Sequence, residues 1–118
     1  MGEFALTLLH AATNAHILHL KSKSYSEHMA LGTFYEELPG LVDAVVEATQ
    51  GRTGQLIDYP VQYYAPANSG LEELEMLKDY LDEERHKEGI PQDSEIQNLI
   101  DEISALIDST LYKLRFLK

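Results

Sequence analysis

Between Gly51 and Ser69 the apolar periodicity that marks the rest of the chain stops for nineteen residues. The stretch carries Pro60, Pro66 and the aromatic group Tyr59, Tyr63 and Tyr64. A loop of that length inside a compact domain is uncommon and needs a geometric reason. Extended, it reaches up to about 60 Å, enough to return along the whole length of a helical layer. This predicts two parallel helices joined by a crossover, with the tyrosines pinning the crossover onto them.

On either side of this stretch the chain reads as two helical pairs, with helices over about 3–21, 25–50, 70–88 and 94–116. In the first helix Leu6, Leu9, Thr13, Ile17 and Leu20 form one stripe at spacings of three and four, and Leu8, Ala12, Ala15 and Leu18 a second. A helix apolar on two sides is usually buried on two sides, which suggests a subunit contact as well as an internal core. Ser24-Tyr25-Ser26-Glu27 and Ser69-Gly70-Leu71-Glu72 have capping-box spacing and open the second and third helices. Gly51 is the expected stop of the second, and Pro39-Gly40 predicts a kink near Tyr35. Asp93 or Ser94 is expected to cap the fourth helix, whose broad apolar face includes Ile96, Ile100, Ile103 and Ile107. Short loops at Ser22–Ser24 and Gly89–Gln92 make each pair an antiparallel hairpin. Hairpin, long crossover, hairpin is the connectivity of a ferritin-like four-helix bundle, and the chain reads as one such all-α domain over 1–118.

Composition narrows the functional classes. The 118 residues suit one core. No apolar run approaches the ~20 residues a membrane helix needs. Glu3 stands where a signal peptide would be basic, so a cytoplasmic location is expected. The absence of cysteine excludes disulfides and thiolate metal sites and fits a reducing compartment. A net charge of −11 disfavours direct nucleic-acid binding, because phosphate neutralisation needs clustered Lys and Arg. An acidic surface suits cation attraction or plain solubility.

Four of the five histidines, His10, His16, His19 and His28, fall in the first 28 residues, and Asp43 and Glu47 follow one turn apart on the second helix. Imidazole and carboxylate together form the donor set for iron, manganese or zinc. His28 and Asp43 are fifteen residues apart, about 22 Å along a straight helix. One ion therefore cannot touch both within one chain. If both are ligands, a second, antiparallel copy supplies the other half, giving two equivalent sites in a two-fold dimer.

These residues resemble the ferroxidase signature of the Dps-type mini-ferritins. His16, His28, Asp43 and Glu47 match its intervals of twelve, fifteen and four. His19-Leu20-Lys21 competes with His16 for the first position, with Leu20 where the family favours Trp, Asn or Gln. The resemblance implies a di-iron site shared between subunits, with two histidines from one chain and an Asp and a Glu from the other. The stretch from His19 to Gly51 is also similar to small phage-encoded proteins of unassigned function. The chain departs from the mini-ferritin pattern in lacking a lysine-rich tail, so DNA shielding is not implied. An additional acidic position of the family falls on Gly32, and Pro39 lies between the two halves of the site, which weighs against cage assembly.

The expected ligands are thus His16 or His19, with His28, Asp43 and Glu47. The expected cofactor is iron, or alternatively manganese or zinc, and the expected partner a second copy of the chain. Ferroxidase activity is the enzymatic expectation. The competing reading is a non-enzymatic helical assembly or accessory protein, viral in origin, with a degenerate site. Glu83-Glu-Arg-His86 has the Glu-x-x-His spacing of larger di-iron bundles but lacks a counterpart on the fourth helix, and reads as a solvated face. No phosphate-binding loop or nucleophile elbow occurs.

Overall fold

Two of the four helices start where a serine hydroxyl satisfies one of their free N–H groups. The computed structural model describes residues 1–118 and contains four helices and no strand: α1 (Gly2–Lys21), α2 (Tyr25–Thr53), α3 (Gly70–Glu84) and α4 (Ser94–Phe116). Ser24 Oγ accepts from the Glu27 N–H at 3.3 Å, and Ser69 Oγ from the Glu72 N–H at 3.2 Å. The return arm of the first box runs through a relay: Ser22 Oγ accepts from the Ser24 N–H at 3.1 Å and donates to Glu27 Oε1 at 2.5 Å. Asp93 occupies the N-cap position of α4 without capping it. Its carboxylate instead takes Arg52 Nε at 3.0 Å, tying the end of α2 to the start of α4.

Two helix ends differ from the sequence expectation. α2 passes through Gly51 and stops at Gly54, whose φ of 75° is open to glycine and whose N–H bonds Gln50 O at 2.9 Å. α3 ends at Glu84 rather than near residue 88, because Arg85 is drawn into the turn to α4. Its guanidinium bonds Gln97 Oε1 at 2.9 Å, Gln97 O at 3.0 Å and Asp101 Oδ1 at 2.5 Å. The Arg85 carbonyl in turn accepts from Gln92 and Gln97. α2 is continuous through Pro39, which removes the N–H that Tyr35 O would otherwise receive.

The core holds 22 buried apolar residues drawn from all four helices and the α3–α4 turn, so one core serves the chain. α2 contributes Leu31, Phe34, Leu38, Val42 and Val45, spaced three or four apart and essentially inaccessible. Truncating Phe34 to Ala would cost about 3–5 kcal/mol by the cavity it leaves. Of the two stripes on α1, Leu8, Ala12, Ala15 and Leu18 face the core. Ile17 and Leu20 on the other stripe are 37% and 68% exposed.

α1 packs on α2 and α3, and α4 packs on the same two helices. Arg52 to Asp93 and Arg115 to Glu75 tie opposite ends of α2 and α4, and of α3 and α4. Phe4 beside Tyr80 does the same for α1 and α3. Gly2 lies against the Asp58 carbonyl, whereas Gly70 lies against Leu31 near the other end of α2. The segment from Gln55 to Ser69 therefore travels the length of α1, and α2 and α3 run parallel. Tyr63 and Tyr64 meet His10 edge-on midway, with ring centroids 6.3 and 5.2 Å away, while Tyr59 is exposed.

Candidate functional site

The α1–α2 hairpin brings three of the expected histidines to one place. The His19 and His28 rings stack with centroids 3.7 Å apart and planes 17° from parallel. His19 Nδ1 lies 2.5 Å from the His28 carbonyl oxygen, and His28 Nδ1 lies 2.9 Å from the His19 carbonyl oxygen. A carbonyl only accepts, so both Nδ1 atoms carry hydrogen and donate. In the neutral rings each Nε2 is then left with its lone pair, the form in which imidazole binds a metal.

His16 sits one turn earlier and stacks face to face on Tyr35, with centroids 4.0 Å apart and planes 6° from parallel. Its ring is 6.1 Å from that of His19, and Tyr35 meets His19 edge-on at 5.2 Å. Four aromatic rings thus form a continuous cluster at the hairpin. Neither Tyr35 nor Gly32 was expected from the ligand spacing. Gly32 is where the chain makes room: a Cβ there would stand 3.1 Å from His19 Cε1.

Asp43 and Glu47 are exposed on α2 and belong to no ion pair. The continuous helix holds Asp43 about 22 Å from His28 at 1.5 Å per residue. Within one chain no group of three or more His, Asp or Glu side chains converges to hold an ion. The near-parallel histidine rings set a further condition. Their lone pairs lie in planes too far apart to meet on one ion at about 2.0–2.1 Å from each nitrogen. As stacked, the two rings could serve neighbouring ions but not the same one. Glu83 and His86 are exposed at and beyond the end of α3, and Lys87 pairs with Glu84 at 2.8 Å, as befits a solvated face.

No helix is long and apolar enough to cross a membrane. No curated protein and no solved structure matches the chain. A family match covers residues 19–114, a stretch that contains His19, His28, Asp43 and Glu47 and leaves out His16. By that match, which takes in most of its length, the chain belongs to DUF5856, a family of unknown function.

Proposed function

We propose that the protein is a ferritin-like metal-binding protein that holds iron, for oxidation or for storage, at sites completed by a second copy of the chain. The observation that carries this reading is the commitment of both Nδ1 atoms of His19 and His28 to main-chain carbonyls, leaving each Nε2 available. The short–long–short connectivity supports a ferritin-like four-helix bundle, as does the pairing of α1 with α2 and α3. Asp43 and Glu47 are exposed and unneutralised, as carboxylates awaiting a cation would be.

A two-fold partner would supply what one chain lacks. If the partner's α2 lay antiparallel against this one, its Asp43 and Glu47 would face His28, with the dyad near Glu36. The exposed Ile17 and Leu20 beside the hairpin provide apolar area for such a contact. In that arrangement His28, with His19 or His16, would supply nitrogen donors, and the partner's carboxylates would supply oxygen donors. Bound there, Fe(II) would give up electrons to dioxygen or peroxide. Manganese and zinc suit the same donor set.

A second reading rests on the same hydrogen bonds. The reciprocal contacts already close the hairpin, and no three ligands converge in one chain. The histidine stack would then be a structural clamp in a non-enzymatic assembly or accessory protein of viral origin. Elemental analysis of the purified protein, with its mass in solution, separates the two. One or two ions per chain in a dimer or larger assembly, lost in His28→Ala while the helical signal persists, supports the metal site. A protein that takes up neither Fe(II) nor Zn(II), or a His28→Ala variant with undiminished metal, rejects it.

A further inference from the structure

The largest cavity lies away from the histidine hairpin, between α1, α3 and the crossover, with a volume of about 660 Å³. That is within the range of small-molecule sites. Its walls are aromatic and apolar: Tyr63 and Tyr64 from the crossover, and Met76, Leu77 and Tyr80 from α3. Glu72 and Glu73 stand at its edge, and no Lys, Arg or His lines it. Asn14 of α1 also lines it and is only 3% exposed. The hydrogen bonds around the cleft join Thr7 to Glu3, Ala67 to Glu73 and Glu72 to Ser69, and leave the Asn14 carboxamide without a partner in the chain. Its polar atoms are not sealed off and face the cleft, where solvent or a ligand supplies their hydrogen bonds.

We propose that this cleft binds an organic cation, a primary amine carried on a short apolar stem. The ammonium N–H groups would donate to the Asn14 carboxamide oxygen and to the Glu72 carboxylate, whose charge they offset. Part of Glu73 is already taken by the Ala67 N–H at 2.9 Å, so Glu72 is the freer carboxylate. The tyrosine faces attract the cation through their ring quadrupoles, and Met76 and Leu77 cover the stem. An anion would meet two carboxylates and no base, and a wholly apolar ligand would leave Asn14 unsatisfied. The chain's net charge of −11 raises the local concentration of any cation. The site shares no residue with the histidine hairpin and stands or falls independently of the metal reading.

The test is calorimetric and NMR titration of the full chain with phenethylamine, against its neutral isostere 2-phenylethanol. The cleft reading expects the alcohol to bind at least about tenfold more weakly, and Asn14→Leu and Glu72→Gln each to weaken the amine by about tenfold. Glu102→Gln, on the exposed face of α4, should leave the affinity within about twofold. Circular dichroism checks the fold of each variant, and Glu72, being exposed, gives a readout even if Asn14→Leu misfolds. Competition by the blocked peptide N-acetyl-Gly-Lys-Gly-amide, whose only amine is the lysine side chain, would assign the site to lysine side chains of a partner protein. Failure to compete would assign it to free amines. Equal binding of alcohol and amine, or amine binding that Glu72→Gln and Glu102→Gln weaken alike, overturns the proposal.

Discussion

Gly32 packs its bare Cα against the ring of His19: a Cβ added there would stand 3.1 Å from Cε1 and 3.3 Å from Nδ1. That nitrogen is the one bonded to the His28 carbonyl, so whatever presses on the ring presses on the reciprocal pair. Ala at this mid-helix position gains about 0.5–1 kcal/mol over Gly in backbone entropy, against a ring shift of a few tenths of an ångström. Gly32→Ala should therefore change stability by less than about 1 kcal/mol. Gly32→Val exceeds the available space and should destabilise by about 1–3 kcal/mol. Urea denaturation measures both, and the histidine Nδ1–H resonances report whether the stack persists. A Gly32→Val protein as stable as the parent, with unchanged resonances, would show that the stack does not constrain this position.

Arg85 joins α3 to α4 through Gln97 and Asp101, and its side chain is only 12% exposed. The planar fork reaches Gln97 and Asp101 through separate nitrogens held in a fixed geometry, which a lysine ammonium does not reproduce. Arg85→Lys should cost about 1–3 kcal/mol, with Arg85→Ala at least as costly because Gln97 loses a donor. By contrast, Arg115→Ala breaks an exposed pair with Glu75 at 3.1 Å and should cost no more than about 1 kcal/mol. Comparing the three denaturation midpoints decides the ranking, and equal effects of Arg85→Lys and Arg115→Ala would sink it.

Which parts of this architecture were legible follows from which forces are local. The capping serines Ser24 and Ser69 and the spacing of Phe34, Leu38, Val42 and Val45 are short-range patterns, and they mark helices correctly. The crossover was legible because nineteen residues without periodicity leave few geometric options. The stops of α2 and α3 were not, since Gly51 and Gly54 are equivalent until one of them adopts a positive φ. Arg85 ends its helix through partners on α4. The two stripes of α1 looked alike in sequence, and only packing shows that Leu8 and Leu18 face inward while Leu20 faces out. At the hairpin, spacing brought His16, His19 and His28 together but could not say which ring nitrogens the backbone would claim. Asn14 was missed altogether. A lone amide among Ala11, Ala12 and Ala15 was the one signal available, and it marks the floor of the cleft.

Thr49 is 4% exposed, and its hydroxyl is an enclosed side-chain oxygen with no hydrogen-bond partner. Burying a hydroxyl without a partner carries a desolvation cost of about 1–3 kcal/mol. Val has nearly the same shape and a similar helix propensity. Thr49→Val should therefore stabilise the fold by about 1 kcal/mol or more. The matching change at Thr110, whose hydroxyl donates to Leu106 O at 2.8 Å, removes a satisfied bond and should be neutral or mildly destabilising. Thermal denaturation should place Thr49→Val above the parent and Thr110→Val at or below it. A Thr49→Val protein less stable than the parent would mean that the hydroxyl finds a partner in solution.

Tyr80 supplies an alkaline limit to stability. Burial between α1 and the crossover pushes its phenol above the ordinary value of 10.0; a hydrogen bond from Thr7 opposes this, and the charges of Glu84 and Glu3 add to it. A phenol whose folded value is raised is harder to ionise in the folded chain than in the unfolded one. Its contribution to stability is whole below pH 10 and is lost as pH rises through the folded value, because the unfolded chain gives up the proton first. The melting temperature of the parent should therefore fall above pH 10, and that of Tyr80→Phe should fall less steeply over the same interval. Below pH 9 the two should differ by a constant offset, set by the lost hydroxyl contact. Parallel curves from pH 8 to 11 would mean that Tyr80 ionises as freely folded as unfolded.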